Sequence, residues 1–498
     1  MAPVTTIIIS GTVSSILTAL DGSAISTAMP SMAEELGSTY AYVWIANAYF
    51  LTMTAFPAHI RTDVQYLRPP KSNPNRSLPV RPIKGIGGGG VNVMVDIIVS
   101  DLVPLRERPK YIGPMFIAYG VGVAIGPVVG GSLSERVPWR RVSHPNPPIA
   151  AARFIMLAVS LKVRYVKDTT RNSLKRVDFG GERPLCGEHG IDTDRFVLGW
   201  RRVPQSIPWR VLLALSLGFA GLAAFLLIQY SGLIPEPTMP LRLFTNRTSL
   251  AAFGLTLIHS ILMYWQIYFL PLYFQSILEA SPTTSGIYLL PTVVISMIFS
   301  VVAGTGLTKM SRYRPCHFSG MALFAIGYGL FSLLDENSST AFWAGVQCLG
   351  AISIGVLMTT TLPAAQALLD GTDAAVVTGT WGFLRCFGGI WGIAIPGAIF
   401  NSRVDQLVIT RLEDENMRGL LSNGGAYGLA SGGFITSLNH DPALKAAVKS
   451  IYSDSLKLAW QLETQFGLDG GECQEVEKGT PVKASDKATD EEKAREKS

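Results

Sequence analysis

The chain has 498 residues, of which 48% are hydrophobic and only 16% are charged, with a formal net charge of +6. Soluble globular proteins usually carry about 25% charged residues, so the composition argues against that class. The positive residues lie in short stretches between apolar runs, which favours a membrane protein over a nucleic-acid-binding protein. The five cysteines form no C-x-x-C pair and no regular spacing, so the sequence indicates neither a metal site nor a disulfide framework.

About eleven apolar runs follow one another along the chain, and most are long enough to cross the hydrocarbon core of a bilayer. They lie near 5–30, 41–57, 85–103, 111–133, 149–163, 209–230, 249–274, 285–307, 316–334, 341–363 and 375–400. The first run lacks the basic segment and cleavage site of a signal peptide, so we expect it to be retained as an anchor. The pattern predicts an all-α polytopic membrane protein.

Polar stretches between and after these runs set the predicted domain boundaries. We predict an incomplete N-terminal transmembrane half at 1–163, a hydrophilic connection at 164–208, a linker helix at 209–230, a C-terminal half at 231–400, a polar loop at 401–468 and a tail at 469–498. The tail is rich in lysine and acidic residues and poor in aromatic residues, which predicts disorder.

Short basic loops predict the orientation of the chain in the membrane, because cytoplasmic loops are enriched in lysine and arginine. The stretches 104–110, 240–248 and 308–315 are basic and are predicted to be cytoplasmic. The connection 335–340 has no basic residue and is predicted to lie outside. It contains Asn337 at the head of an N-x-S triplet, which makes this residue a candidate for glycosylation.

The run at 111–133 is unusual because its second half is rich in glycine. Ala118, Gly122, Gly126 and Gly130 recur every fourth residue and therefore share one helical face. Small residues let helices in lipid approach each other closely. Pro127 removes a backbone donor and predicts a kink. The stripe predicts either a static packing surface or a surface that moves in a transporter.

The motif in this run, "GVAIGPVVGG" from Gly122 to Gly131, fits the pattern G-x-x-x-G-P-x-x-G-G. It resembles the antiporter signature in the fifth helix of proton-driven exporters of the major facilitator superfamily. Further segments resemble fungal fourteen-helix drug:proton antiporters of that superfamily, and these are residues 17–37, 42–56, 85–113, 235–249 and 378–400.

This resemblance implies the major facilitator fold and proton-coupled efflux of small amphipathic compounds, either drugs or secondary metabolites. It implies a monomer in a lipid bilayer, most simply the plasma membrane or alternatively the vacuolar membrane. The partners would be protons and the exported compound, without nucleic acid, and the proton gradient would supply the energy without a cofactor. The sequence shows no catalytic or phosphate-binding constellation, and the glycines at 85–90 lack the strand that a dinucleotide site requires. We therefore expect a transporter and no enzyme.

The chain departs from the family where polar stretches replace expected helices. Residues 57–82 and 164–208 contain no apolar run, 149–163 is short, and no apolar run follows 453–461. We thus expect an incomplete fold of about 9–11 helices out of fourteen, with the tail left on the outer side. A truncated, non-transporting protein from a decayed or mis-spliced gene is the alternative.

Four ionisable residues are candidates for the proton and substrate pathway. Asp21 and Asp96 lie within apolar runs, where a charged side chain costs about 2.5–3.5 kcal/mol on insertion scales. Arg385 is the one charge in 378–400 and is predicted to face a polar interior. Arg81 matches the arginine of the family's Arg-x-x-Gln-Gly pattern, which the resemblance links to proton coupling, although Lys84 replaces the glutamine.

Overall fold

A computed structural model describes residues 239–475, with gaps at 311, 368, 370–372 and 423. It also describes Ala118–Val129 with Ser132, most of 220–231, and scattered positions between 12 and 23. Several predictions lie outside the described residues: Asp21, Arg81, Asp96, Gly130, Gly131 and the stretches 57–82, 164–208 and 476–498.

All regular structure in the described residues is helical. The long helices are α1 (Ala118–Val129), α2 (Arg247–Ser276), α3 (Leu290–Met310), α4 (Arg314–Phe331), α5 (Thr340–Gln366), α6 (Ala374–Arg411) and α7 (Pro442–Glu475). Short helices lie at Pro282–Tyr288, Glu415–Leu421, Gly425–Gly428 and Gly432–Ser437, with 3-10 turns at Leu241–Phe244 and Leu438–His440. The all-α prediction is confirmed, and helices occupy the predicted runs between 249 and 400.

Length and composition make four of the described helices suitable for crossing a membrane: Arg247–Ser276, Pro282–Leu307, Thr340–Gln366 and Val376–Arg411. Side-chain caps define where several of them begin. Asn246 accepts a hydrogen bond from the Thr248 amide, and Ser339 accepts one from the Phe342 amide. Ser281 caps the short helix before α3, with Pro282 in its first turn. These caps satisfy amide donors that a helix leaves unpaired at its start.

Helix α2 lies at the centre of the second half of the chain. It packs against α5, α6 and α7, while α3 pairs with α5 and α4 packs between α5 and α7. Trp265, Tyr268 and Phe269 on α2 are almost completely buried. Because neighbours cover it on most sides, α2 is apolar around most of its circumference and carries no narrow apolar stripe.

The predicted polar loop at 401–468 is wrong over most of its length. Helix α6 continues to Arg411, and α7 begins at Pro442. One face of α7 is apolar and buried: Ile451, Tyr452, Leu456, Ala459 and Trp460. The mean hydropathy over a sequence window does not reveal this face, because the charged residues on the opposite face of the helix lower the mean. Seven residues of the predicted tail, 469–475, also belong to α7.

The direction of α7 corrects the predicted position of the tail. Lys449 lies 3.6 Å from Glu336, which follows α4. Farther along, the Trp460 ring contacts Phe331 at a centroid distance of 5.2 Å, and Gly467 packs against Ala325. α7 therefore runs antiparallel to α4 and returns to the basic end of the bundle, where α4 begins. The described chain ends at that predicted cytoplasmic end, not on the outer side.

A compact cap of short helices, residues 412–441, joins α6 to α7. The Tyr427 ring packs against Phe269 and Phe400 at centroid distances of 5.8 and 6.4 Å. The Tyr452 hydroxyl of α7 donates a hydrogen bond of 2.5 Å to the Ala426 carbonyl. These contacts connect the cap to α2, α6 and α7, so the cap is part of the folded core.

Two lysines of α7 fix the turn that follows α2. Lys445 and Lys449 lie 2.7 and 3.2 Å from the Glu279 carboxylate, and Glu279 has a left-handed backbone with φ of 56°. Burial alone would raise the pKa of Glu279, but hydrogen bonds from both lysines outweigh it and lower the pKa below its ordinary value of 4.5. The ion pairs thus hold a backbone conformation that is unfavourable for a residue with a side chain.

Candidate functional site

Helix α1 approaches the first apolar segment of the chain through its glycine face. A Cβ atom on Gly122 would lie 2.8 Å from the Ala19 Cβ and closer still to the Ile16 carbonyl oxygen. The Ser23 hydroxyl donates to the Ala19 carbonyl at 2.7 Å and reaches the Gly122 carbonyl at 3.5 Å. Ala118 and Gly126 on the same face are buried. The close approach expected of the stripe is observed at Gly122, where only hydrogen fits.

A different side of α1 contacts the second half of the chain. A Cβ atom on Gly120 would lie 2.6 Å from the Met297 sulfur of α3. A Cβ atom on Gly286, in the short helix before α3, would lie 2.7 Å from the Pro127 carbonyl carbon and oxygen. The Gly120 contact is with a methionine side chain, whereas at Gly286 two backbones meet where a side chain would otherwise hold the helices apart. α1 stays helical through Pro127, and the kink and the hinge role of this motif stay predictions.

Arg385 lies where α6 meets α1. Its guanidinium carbon is 5.2 Å from the Trp381 ring centroid, one turn earlier on α6, and 5.5 Å from the Tyr119 ring centroid on α1. Cations attract aromatic faces at such distances. The Trp381 indole donates to the Thr361 hydroxyl at 3.1 Å, which fixes the ring under the guanidinium. The half-buried arginine therefore lies between α6 and α1 and joins the two halves, and its place in a transport pathway stays a prediction.

Glycines on α6 bring this helix against α2 near Arg385. A Cβ atom on Gly388 would lie 2.8 Å from the Leu257 carbonyl oxygen, and one on Gly392 would lie 3.0 Å from the Tyr264 Cβ. Trp381, Arg385, Gly388 and Gly392 are spaced so that they share one broad face of α6. That face is in contact with α2 and α1, which places the arginine at a junction of three helices.

A buried polar cluster in the second half was not predicted. It consists of Gln266 on α2, Thr292 on α3, Tyr328 on α4, Gln347 on α5 and Glu463 on α7. The polar residues of α2, α3 and α5 look ordinary within apolar runs, and Glu463 lay in a stretch assigned to a loop. Helical spacing of Glu463 with Leu456, Ala459 and Trp460 is the signal that places it on a buried face.

Asn337 lies in the turn between α4 and α5 and is exposed. Its backbone amide donates to the Asp335 carboxylate at 3.0 Å, which shapes the turn. The turn is at the same end of the bundle as Glu336 and the cap. This exposed position is suitable for a glycosylation acceptor, and the modification itself stays a prediction.

Comparison with known proteins places this helical membrane architecture in a class. A family model of the Major Facilitator Superfamily matches residues 78–393. The efflux pump FUS6 of Gibberella moniliformis is 39% identical over 476 residues, covering 91% of this chain and 84% of the pump. The MFS-type transporter gkaD of Penicillium citrinum is 39% identical over 485 residues, covering 92% and 82%. The Acurin A biosynthesis cluster MFS-type transporter of Aspergillus aculeatus is 37% identical over 478 residues, covering 91% and 85%.

Solved structures show the same fold. A bacterial homolog of the human lysosomal transporter Spinster superposes with a TM-score of 0.51 at 12% identity, covering 96% of this chain and 97% of that one. The proton:xylose symporter XylE also superposes with a TM-score of 0.51 at 12% identity, covering 87% and 95%. The architecture is thus that of a multi-pass helical transporter. This chain belongs to the major facilitator superfamily, and the similar fungal proteins are named as efflux pumps and transporters.

The extent of this similarity does not favour the alternative of a decayed, non-transporting protein. Alignments with fungal relatives cover more than nine tenths of this chain at 37–39% identity. The coarse functional class is therefore a membrane transporter.

Proposed function

We propose that this protein exports small amphipathic compounds, drugs or fungal secondary metabolites, in exchange for protons. The observation that carries the proposal is the position of α1, whose backbone meets the first apolar segment at Gly122 and the second half at Gly286 through Pro127. Smooth surfaces of this kind let one bundle rock against another around a central site, as alternating access requires. The names of the fungal relatives support export of such compounds.

Arg385 and its two aromatic neighbours supply the binding surface that we propose for the exported compound. Tyr119 and Arg385 are half-buried, Trp381 packs against the guanidinium from the buried side, and the guanidinium attracts π systems and anionic groups. Because Tyr119 belongs to α1 and Arg385 to α6, a compound bound there would contact both halves. Movement of the halves would then change its affinity, which is the condition for coupling binding to transport.

The proton gradient supplies the energy in this proposal, and no cofactor is required. Asp21 and Asp96 are the proposed proton-binding residues, with Arg81 and Arg385 as the charges that modulate them. Carboxyl groups within apolar helices are suitable carriers, since the neutral form is tolerated in a low dielectric medium and the charged form is costly. The protein would act as a monomer in the plasma membrane, with Asn337 on the outer side.

The proposal is tested with the purified full chain in liposomes under an imposed pH gradient. Rhodamine 6G serves as the amphipathic fluorescent probe. We expect dye to accumulate against its concentration gradient and a protonophore to abolish the accumulation. Glu413, exposed in the segment after α6, provides the control variant Glu413→Gln, which should transport normally. Dye movement that is indifferent to the pH gradient would refute proton coupling, and absence of any movement would refute export of this class of compound.

A further inference from the structure

Helix α7 carries a carboxyl group in the interior of the second half. The Glu463 side chain is 0% exposed, and neither of its carboxyl oxygens has a hydrogen-bond partner of good geometry among the described residues. Charged side chains of α7 nearer the cap are paired, such as Lys445 and Lys449 with Glu279. Glu463 lies about four to five turns farther along α7, beyond their reach.

The described helices that pack against α7 offer no compensating cation. α4 presents the Tyr328 hydroxyl, which is the one titratable group in the described part of the chain that acts on the Glu463 carboxyl. α2 presents the amide of Gln266 and carries the buried His259, whose ring packs against Phe324 of α4 at a centroid distance of 5.9 Å. Arg411 of α6 is paired with Asp454 near the cap at 2.6 Å. An ionised carboxylate without a partner costs several kcal/mol or more in such a medium, so the packing favours the neutral acid.

A directed chain of hydrogen bonds begins at Tyr328, the titratable neighbour of Glu463, and crosses the bundle. The Tyr328 hydroxyl donates toward the Gln266 carbonyl oxygen at 3.3 Å and toward the Leu262 backbone oxygen at 3.2 Å. The Gln266 amide nitrogen donates to the Thr292 hydroxyl at 3.4 Å. Thr292 then donates to the Gln347 side-chain oxygen at 2.9 Å. The chain ends at the Gln347 amide nitrogen, which is buried without a partner among the described residues.

The direction of these hydrogen bonds shows where the hydroxyl proton of Tyr328 lies. Tyrosine has one hydroxyl proton, and Tyr328 directs it to acceptors on α2. Toward Glu463 the same oxygen can therefore only accept, so a hydrogen bond between the two groups requires a protonated carboxyl group as its donor. Gly350 leaves the space that the chain needs, because a Cβ atom there would lie 2.7 Å from the Gln266 side-chain oxygen.

We propose that Glu463 is a proton-binding residue of the second half, and that its protonation state is transmitted through Tyr328 and Gln266 to Gln347. Proton uptake converts the carboxylate to the acid, which donates to Tyr328. On release the carboxyl group gives its proton to water, and the Tyr328 hydroxyl turns its own proton from Gln266 to the carboxylate that remains. This turn removes a hydrogen bond between α4 and α2 and so changes how these helices are joined. The role in transport depends on the proposed function, whereas proton binding itself does not.

Infrared difference spectroscopy of the full chain in liposomes tests proton binding directly. We expect the carbonyl band of a protonated carboxyl group to disappear as the pH is raised, and to be absent at every pH from Glu463→Gln. The exposed variant Glu413→Gln should keep the band, and Tyr328→Phe should shift its frequency. If Glu463→Gln shows the same pH-dependent bands as the wild type, the proposal is overturned, and an unchanged frequency in Tyr328→Phe overturns the hydrogen-bonded chain.

Transport of rhodamine 6G tests the coupling role. Glu463→Gln preserves shape and a neutral side chain, so downhill dye movement without a pH gradient should stay close to that of the wild type. Accumulation driven by the gradient should fall by about tenfold or more, because the variant has no carboxyl group at this position to take up a proton. Equal loss of both activities would mean that Glu463 is purely structural and would overturn its role in coupling. A wild type without gradient-driven transport would refute the proposed function, while the infrared result would still decide proton binding.

Discussion

Glycines bring backbones together at two places in this molecule, with different surroundings. Between α2 and α6, Gly388 and Gly392 lie beside a core of buried aromatic residues that includes Trp265, Phe269 and Phe400. At α1, by contrast, Gly120 and Gly286 contact a flexible methionine and a proline backbone, and Val121 and Ile125 on α1 are 37% and 43% exposed. The same residue type therefore lies among buried aromatic rings in one contact and in a partly exposed contact in the other, and we propose that only the second contact separates during transport.

The largest expected effect is on the contact between α2 and α6. Gly392→Leu would force a side chain onto the Ile261 carbonyl and the Tyr264 Cβ, and overpacking of this kind costs about 1–3 kcal/mol or more. We expect a lower melting temperature in detergent and poor recovery as a monodisperse peak. Gly379→Leu on the same helix is the matched control, because nothing lies within 4 Å of a Cβ atom there. Equal stability of the two variants would contradict the close contact between α2 and α6.

At the contact between α1 and the short helix before α3, we expect a smaller loss of stability than in Gly392→Leu, together with a change in transport. Gly286→Ala places a methyl group against the Pro127 carbonyl, which destabilises the conformation with this contact by about 1–3 kcal/mol and shifts the balance between conformations by roughly tenfold. Dye transport should change while the melting temperature falls little. In Gly306→Ala of α3 the nearest atom to the new methyl would be 3.7 Å away, so this control should behave as wild type. Loss of stability without a change in transport would identify a static contact.

Arg385 tests the contact between α6 and α1 in another way, because its side chain joins the two helices. Arg385→Gln removes the cation from between Trp381 and Tyr119, and we expect a loss of about 0.5–2 kcal/mol in apparent dye affinity. Arg385→Lys retains the charge without the planar group and should lose less. The apparent affinity is measured from the concentration dependence of dye transport. An unchanged affinity in Arg385→Gln would exclude the arginine from the binding surface.

The smallest expected effect concerns the ion pairs between α7 and the turn that follows α2. Because the pKa of Glu279 is lowered in the folded protein, its contribution to stability is present in full above the unfolded value of 4.5 and is lost as the pH falls through the lower folded value. Partly exposed pairs are worth about 0.2–1 kcal/mol each. Glu279→Gln should therefore lower the melting temperature slightly at pH 7 and have no effect at strongly acidic pH. A difference that persists in acid would point to a cause other than the ion pairs.

Long apolar runs were sufficient to predict helices α2 to α6, because a run of that length without charges is seldom anything but a membrane-spanning helix. The same criterion failed for α7, because its charged face lowers the mean hydropathy of the segment. Ile451, Tyr452 and Trp460 on its other face are nevertheless buried. The interior position of Arg385 was predictable from its isolation in an apolar run, whereas its contact with Tyr119 was not. Tyr119 is more than 260 residues away in sequence, and nothing local specifies which helices become neighbours.

The class of protein, its lipid environment and the glycine motif are evident from the sequence alone, since these depend on composition and on spacing within single helices. The tertiary structure was needed to show that Glu463 lies in the interior, that its neighbour is a tyrosine and that no cation of the described helices pairs with its carboxyl group. The physical reason is that the energy of a carboxyl group depends on what surrounds it, and its surroundings come from other helices.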